Sequence, residues 1–228
     1  MHEKTALRAE LTVRRAGAFA ALPDAGVALV ARFPADIMVD KKAIVAGFMP
    51  FRTEIDPLPL LRHLRERGAQ VVMPLTKSPS HLWGRVGMGG TVSDRKPALE
   101  ASTTAPHPPA PSPQVGRGEA LTFHLCDIEN GSDFKTNKWG LCEPKPDLPV
   151  ATPNILLVPL LGFDRQGYRL GYGKGYYDQA LAALRTQNNI IAVGLAFSAQ
   201  EVPEIPTQPH DQRLDWIITQ NEAYRVLS

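Results

Sequence analysis

The segment Ile155–Asp178, which reads ILLVPLLGFDRQGYRLGYGKGYYD, constrains the chain more than any other. Ile155 to Val158 is a buried-strand pattern that ends at Pro159. A glycine-rich loop follows, and then a helical pattern over 176–186 with Leu181 and Leu184 turned inward. A strand that feeds a loop and then a helix is where open α/β sheets bind ligands. Gly171, Gly173 and Gly175 alternate with larger residues, and glycine lets the backbone turn tightly and a ligand approach its amides. Arg169 and Lys174 add positive charge, and the helix start adds unpaired N–H groups. Together these predict an anion site suited to phosphates. Spacing alone leaves a second reading open, in which the loop is only a tight connection. The order G-x-G-x-G matches neither G-x-x-x-x-G-K-[ST], since Gly175 follows Lys174, nor G-x-G-x-x-G. Neither a P-loop NTPase nor a dinucleotide dehydrogenase is therefore indicated. Asp178 falls in the first helical turn, where a carboxylate either helps hold magnesium against phosphates or complements the helix N-terminus.

Strands and helices alternate elsewhere too. Residues 3–20 predict a helix, with Leu7, Leu11 and Phe19 on one apolar side and Lys4 and Arg8 four apart on one face. Pro23, Asp24 and Gly26 end it, and Val27 to Val30 reads as a short buried strand. Ala43 to Ala46 is another strand, and residues 47–54 form an apolar loop ending in Glu54. Asp56 and Pro57 suit the N-cap and first position of a helix striped by Leu58, Leu61 and Leu64, which Gly68 stops. Ala69 to Met73 completes a strand–helix–strand unit, the signature of a parallel sheet with covering helices. Leu121 to Cys126, Ile190 to Leu195 and Trp216 to Thr219 read as further strands, and residues 139–144 as a compact loop. The prolines from Pro97 to Pro113 mark about 94–118 as a mobile surface insertion or an extended arm packed on the domain. The glycines at 84, 87, 89 and 90, beside Trp83, lack a bracketing strand and helix and are not a phosphate loop. The whole chain, 1–228, reads as a single domain carrying that insertion.

Lys plus Arg number 25 against 23 acidic residues, a net charge of +2 that argues against a dedicated nucleic-acid binder. No apolar run is long enough to span a bilayer, so a cytoplasmic protein is expected. Cys126 and Cys142, without a CxxC spacing, read as buried free thiols. No coiled coil demands a dimer, and a monomer is expected.

The sequence resembles the 5-formyltetrahydrofolate cyclo-ligase (methenyltetrahydrofolate synthetase) family. The resemblance rests on Pro159, Phe163-Asp164, Gly167 and the string Arg169-Leu170-Gly171-Tyr172-Gly173-Lys174-Gly175-Tyr176-Tyr177-Asp178. It extends to Lys4 and Arg8, to Glu54 after its apolar loop, to Gly140 with Glu143-Pro144, and to Gln200, Pro203, His210-Asp211 and Leu214-Asp215. It implies an α/β fold, a three-layer open and mostly parallel sheet with helices on both faces, related to the sugar-phosphate isomerase and CoA-transferase group. It implies use of ATP and Mg2+ to convert 5-formyltetrahydrofolate into 5,10-methenyltetrahydrofolate, with release of ADP and phosphate. It places ATP against Lys4, Arg8 and the loop Arg169, Leu170, Gly171, Tyr172, Gly173, Lys174, Gly175, Tyr176 and Tyr177. It places the folate substrate against Met49, Glu54, Trp139, Tyr172 and Tyr176, and magnesium near Asp178 and Asp215, with Asp211 a competitor of Asp215. Lys4, Arg8, Arg169 and Lys174 then neutralise charge during phosphoryl transfer; without the resemblance, Lys4 and Arg8 read as a solvated helix face. Phe51 is a further flat surface, or plain core. Tyr172 stands in a slot that is Arg in some relatives, so a cation is missing there. Two rival readings are a sugar-phosphate isomerase-like enzyme, which needs no ATP, and a non-catalytic folate- or nucleotide-binding regulatory protein.

Overall fold

The computed structural model describes residues 2–76, 121–137 and 140–227. The insertion read at 94–118, the Trp83 to Gly90 stretch and Trp139 lie outside these residues.

The chain opens with helix α1 (His2–Ala21) and helix α2 (Ala25–Arg32). Strand β1 (Ile44–Ala46), helix α3 (Leu58–Glu66) and strand β2 (Gln70–Thr76) follow as the expected unit. The N-cap of α3 is Pro57 rather than the expected Asp56, whose Oδ1 accepts from the Leu58 amide at 2.9 Å just before the helix. Then come β3 (Leu121–Leu125), β4 (Phe134–Thr136), β5 (Cys142–Pro144) and β6 (Ile155–Pro159). A small hairpin, β7 (Gly162–Phe163) with β8 (Arg169–Leu170), precedes helix α4 (Tyr176–Gln187). Strands β9 (Ile191–Ala196), β10 (Trp216–Thr219) and β11 (Ala223–Arg225) complete the described elements.

One seven-stranded sheet has the order β11-β10-β9-β6-β1-β2-β3. The inner neighbours β10, β9, β6, β1 and β2 pair in parallel, while β11 and β3 close the two edges antiparallel. Successive strand residues face opposite sides. Val45, Val71, Met73, Leu157 and Val193 pack with Leu29 of α2 and Leu60, Leu61 and Leu64 of α3. Their neighbours Ala46, Val72, Leu156, Val158 and Ala192 pack with Ala180, Leu181 and Leu184 of α4. Helices therefore cover both faces, which is why these strands read as continuous apolar runs rather than alternating ones. Leu11 of α1 sits in a third cluster with Leu161, Leu170, Val202 and Ile205, so α1 lies against the hairpin that follows β6. Among the described residues no helix is long and apolar enough to cross a membrane.

Three further expectations are corrected. Val27 to Val30 is helical, not a strand, with only Ala25, Gly26 and Leu29 of α2 buried. A Cβ on Gly26 would lie 2.5 Å from the Asp56 carbonyl, so its absence lets α2 close onto the start of α3. Phe19 is half exposed; Ala18 instead continues the inner stripe of α1. Residues 142–144, read as loop, form β5, which pairs with β4.

Candidate functional site

Strands β1, β2 and β6 end at one cleft of about 400 Å³. Phe48 and Met49 after β1, Thr76 at the end of β2 and Pro159 at the end of β6 all line it, as expected for the carboxyl edge of an open parallel sheet. The loop 171–175 and the first turn of α4 form one wall. The N-cap is Gly175, in the left-handed region at φ of +70°, and no side chain caps that turn.

Helix α1 meets the loop directly. Arg8 Nε donates to the Gly171 carbonyl at 2.9 Å. Gly173 has φ of +96°, and a Cβ there would lie 3.2 Å from Arg8 Nη2. The glycine thus meets two demands at once, a left-handed backbone and a guanidinium at van der Waals range. Lys4, one turn earlier on α1, pairs with Asp211 at 3.0 Å. Lys174 lines the same cleft.

Arg169 is held differently from the other cations. Its side chain is almost wholly buried, its Nη2 donates to Asp178 Oδ1 at 2.7 Å, and its Nη1 donates to the Gln212 carbonyl. Burial pulls this guanidinium below its ordinary pKa, and the Asp178 charge opposes that shift. Asp178 Oδ1 also accepts from the Gln212 amide at 2.9 Å, so both of its bonds fall on one oxygen. Arg169 therefore fixes Asp178 and the 208–212 segment rather than offering a free charge to the cleft.

Glu54 also lines the cleft, although it is buried to 6% exposure. Its Oε2 accepts from the Phe51 amide at 2.9 Å, and its Oε1 lies 3.7 Å from Arg15 Nη1. Burial raises the carboxyl above its ordinary pKa, while the Phe51 bond and then the Arg15 charge pull it back. Tyr177, also at the cleft, has its hydroxyl pushed up by burial and further by the Glu54 charge. Met49, Phe51, Leu141, Tyr172 and Tyr176 give the cleft apolar and flat surface.

Of the residues expected at the site, Lys4, Arg8, Met49, Glu54, Arg169 to Tyr177 and Asp178 all line this one cleft. Asp215 does not. It immediately precedes β10, where its Oδ2 accepts from the Ala192 amide at 2.7 Å and from Arg185 Nη2 at 3.1 Å. The acid that does line the cleft, beside Lys4, is Asp211. Among the described residues no three His, Cys, Asp or Glu side chains gather as a metal cage.

Sequence reasoning missed Arg15, although Lys4, Arg8, Leu11 and Arg15 follow one another at helical spacing on one face. Glu143 is named there only as part of the family resemblance and given no site role, yet it lines the cleft and accepts from the Thr76 amide at 3.2 Å and from Asn137 Nδ2 at 2.9 Å. Both cysteines are free and only partly buried. Burial, the larger cause in each, pushes Cys126 up to about 12 and raises Cys142, so neither is an activated nucleophile.

A mostly parallel α/β sheet whose cleft gathers a basic glycine loop and a buried acid is the arrangement of the open α/β ligand-binding class. The chain matches the model of the 5-formyltetrahydrofolate cyclo-ligase family over residues 1–220, and it belongs to that family. It is 41% identical over 82 residues to the 5-formyltetrahydrofolate cyclo-ligase of Haemophilus influenzae, covering 34% of this chain and 43% of that protein. It is 32% identical over 112 residues to the probable 5-formyltetrahydrofolate cyclo-ligase of Schizosaccharomyces pombe, covering 43% and 55%. The matched stretches span about half the length of these two relatives. The Escherichia coli K12 5-formyltetrahydrofolate cyclo-ligase is 27% identical over 187 residues, 79% of each chain. The solved 5,10-methenyltetrahydrofolate synthetase of Aquifex aeolicus superposes with a TM-score of 0.63 at 19% identity, covering 99% of this chain and 93% of that one. That of Mycoplasma pneumoniae gives 0.60 at 19% identity, covering 95% and 98%.

Proposed function

We propose that this chain catalyses the ATP-dependent cyclisation of 5-formyltetrahydrofolate to 5,10-methenyltetrahydrofolate. The observation that carries the reading is the cleft lined together by Lys4, Arg8, Lys174, the start of α4 and the buried acid Glu54. A formyl oxygen is a poor leaving group. Transfer of the terminal phosphoryl of ATP to that oxygen breaks the bond to ADP and makes the oxygen a phosphate ester. N10 then attacks the activated carbon and loses its proton, phosphate departs with the C–O bond, and the methenyl cation remains. Such a transfer needs alignment and charge neutralisation more than covalent help. Lys4, Arg8, Lys174 and the α4 amides supply both, and Arg169 sets Asp178 in place. Glu54 accepts hydrogen bonds from the N–H groups of the pterin, and Met49, Tyr172 and Tyr176 border its ring.

Mg2+ fits the donor set. Magnesium takes one or two carboxylates together with substrate phosphates rather than a full protein cage, and among the described residues Asp178 leaves one oxygen without a hydrogen bond. We assign Asp178 and Asp211, not Asp215, as the carboxylates that would hold it; the ion would neutralise phosphate charge. The reading takes the enzyme as a cytoplasmic monomer, because one chain suffices to build the cleft, and takes its fold as kin to the sugar-phosphate isomerase and CoA-transferase group.

The test is the absorbance rise of 5,10-methenyltetrahydrofolate with and without MgATP. We expect product only with ATP, and one ADP released per folate consumed. Product formed without ATP, or tight binding of both ligands without turnover, overturns the assignment.

A further inference from the structure

Arg15 does not line the cleft itself but is buried against Glu54 and Tyr172, which do, with 1% of its surface exposed. Such a group is retained only where its partners compensate for lost water. Its Nε donates to Thr53 Oγ1 at 3.1 Å, and its Nη2 donates to the Tyr172 hydroxyl at 2.5 Å. The guanidinium carbon also lies 5.5 Å from the centre of the Tyr172 ring. The third arm differs. Nη1 is buried without a hydrogen-bond partner and stops 3.7 Å from Glu54 Oε1. That is an ion-pair distance but too long for a hydrogen bond.

We propose that Arg15 is a positioning residue for substrate recognition, joining Glu54 to the Tyr172 end of the glycine loop and keeping Glu54 an anion that accepts hydrogen bonds from the bound heterocycle. This rests on the reading that folate binds at Glu54. The structure holds the connection one short movement from complete, since Nη1, buried and without a hydrogen bond among the described residues, stands 3.7 Å from Oε1. Only a planar fork with donors on three sides reaches Thr53, Tyr172 and Glu54 together, which an ammonium does not. The link also joins two walls of the cleft. Glu54 belongs to the loop after β1, and Tyr172 to the loop before α4. It brings a cation to Tyr172, a position that has none of its own.

The groups facing Glu54 set the direction of the pH effect. They are Arg15 from α1, Tyr177 from α4 and the Phe51 amide of its own loop. Burial favours the neutral acid, and Arg15 opposes it. Without Arg15 the carboxyl protonates at a higher pH. Folate recognition is then lost earlier as pH falls, and it returns as pH rises.

The experiment measures kcat and KM for 5-formyltetrahydrofolate and for MgATP across pH. In Arg15→Met we expect the folate KM at neutral pH to rise about tenfold, the size of one lost charge-assisted contact. The ATP KM stays near wild type, and the low-pH limb of kcat/KM for folate moves to higher pH. In Arg15→Lys the charge remains, so the limb stays close to wild type, but the folate KM still rises several-fold. In Glu54→Gln the folate KM rises and the limb disappears, and adding Arg15→Met to it costs little more. A folded Arg15→Met enzyme with the wild-type limb and folate KM overturns the role of Arg15. Should Arg15→Met fail to fold, a wild-type folate KM in Arg15→Lys overturns it equally. A Glu54→Gln enzyme with an unchanged folate KM instead overturns the placement of folate at Glu54.

Discussion

Asp178 carries a double load. It is the charge partner of the buried Arg169, it accepts from the Gln212 amide, and among the described residues its other oxygen takes no hydrogen bond, while the residue lines the cleft. Asp215 has the opposite arrangement. Its Oδ2 is engaged by Ala192 and Arg185, and it lies outside the cleft, immediately before β10. Substituting each therefore separates a metal role from a packing role. Asp178→Asn and Asp211→Asn should raise the magnesium concentration for half-maximal rate by about tenfold or more, in line with the loss of a metal ligand or its support. Asp215→Asn should leave the magnesium titration unchanged and lower stability by ~1 kcal/mol, the worth of a half-exposed ion pair and one hydrogen bond. Magnesium titrations of the three variants at fixed ATP, with thermal melts beside them, make the comparison. A shifted titration in Asp215→Asn alone would reverse the assignment.

At the scale of elements, α1 and the glycine loop behave as one part. Arg8 bonds the Gly171 carbonyl, and Gly173 leaves room for that guanidinium. Gly173→Ala should thus weaken ATP use more than it weakens the fold. Alanine at positive φ costs about 1 kcal/mol, and the new methyl pushes Arg8 from its carbonyl. We expect the ATP KM to rise about tenfold, which is ~1.4 kcal/mol of binding, with the folate KM nearly unchanged; equal changes in both constants would sever the loop from the nucleotide. This part of the molecule was legible in the sequence because glycine spacing, charge and the strand-to-helix change coincide in one short string. The rest was less so, for physical reasons. The apolar run of α2 is too short for its period to distinguish strand from helix, and what decides it is Gly26 against the Asp56 carbonyl, a contact between elements. Strand β11 is three residues on a sheet edge, with no residue fully buried. Arg15 was visible as a helical repeat of Lys4 and Arg8, but its purpose depends on Glu54 and Tyr172, which only the folded chain brings to it.

At the scale of the whole molecule, the cleft is where separated pieces of chain are held together. Lys4 and Arg8, the loop ending at Glu54, Glu143, the loop 171–175 and Asp211 all meet there. The sheet cores on either side are closed by α2 and α3 or by α4 and do not need the cleft. Contacts such as Lys4 to Asp211 and Arg8 to Gly171 fasten α1 across its mouth instead. A ligand that fills the cleft should therefore stabilise the protein as a unit, with its largest local effect on α1 and the loop 171–175. At a concentration one hundred times its Kd, a ligand bound only by the folded state adds ~2.7 kcal/mol. For a chain of this size that is a rise in Tm of roughly 5–11 °C. MgATP should give this shift in wild type and a much smaller one in Lys174→Ala, whereas Glu54→Gln should keep the ATP shift and lose the folate shift. Thermal melts with each ligand, together with hydrogen exchange over α1 and 171–175, test both halves. If MgATP raises Tm while those segments exchange as fast as before, the nucleotide binds elsewhere and the basic wall of the cleft has another ligand.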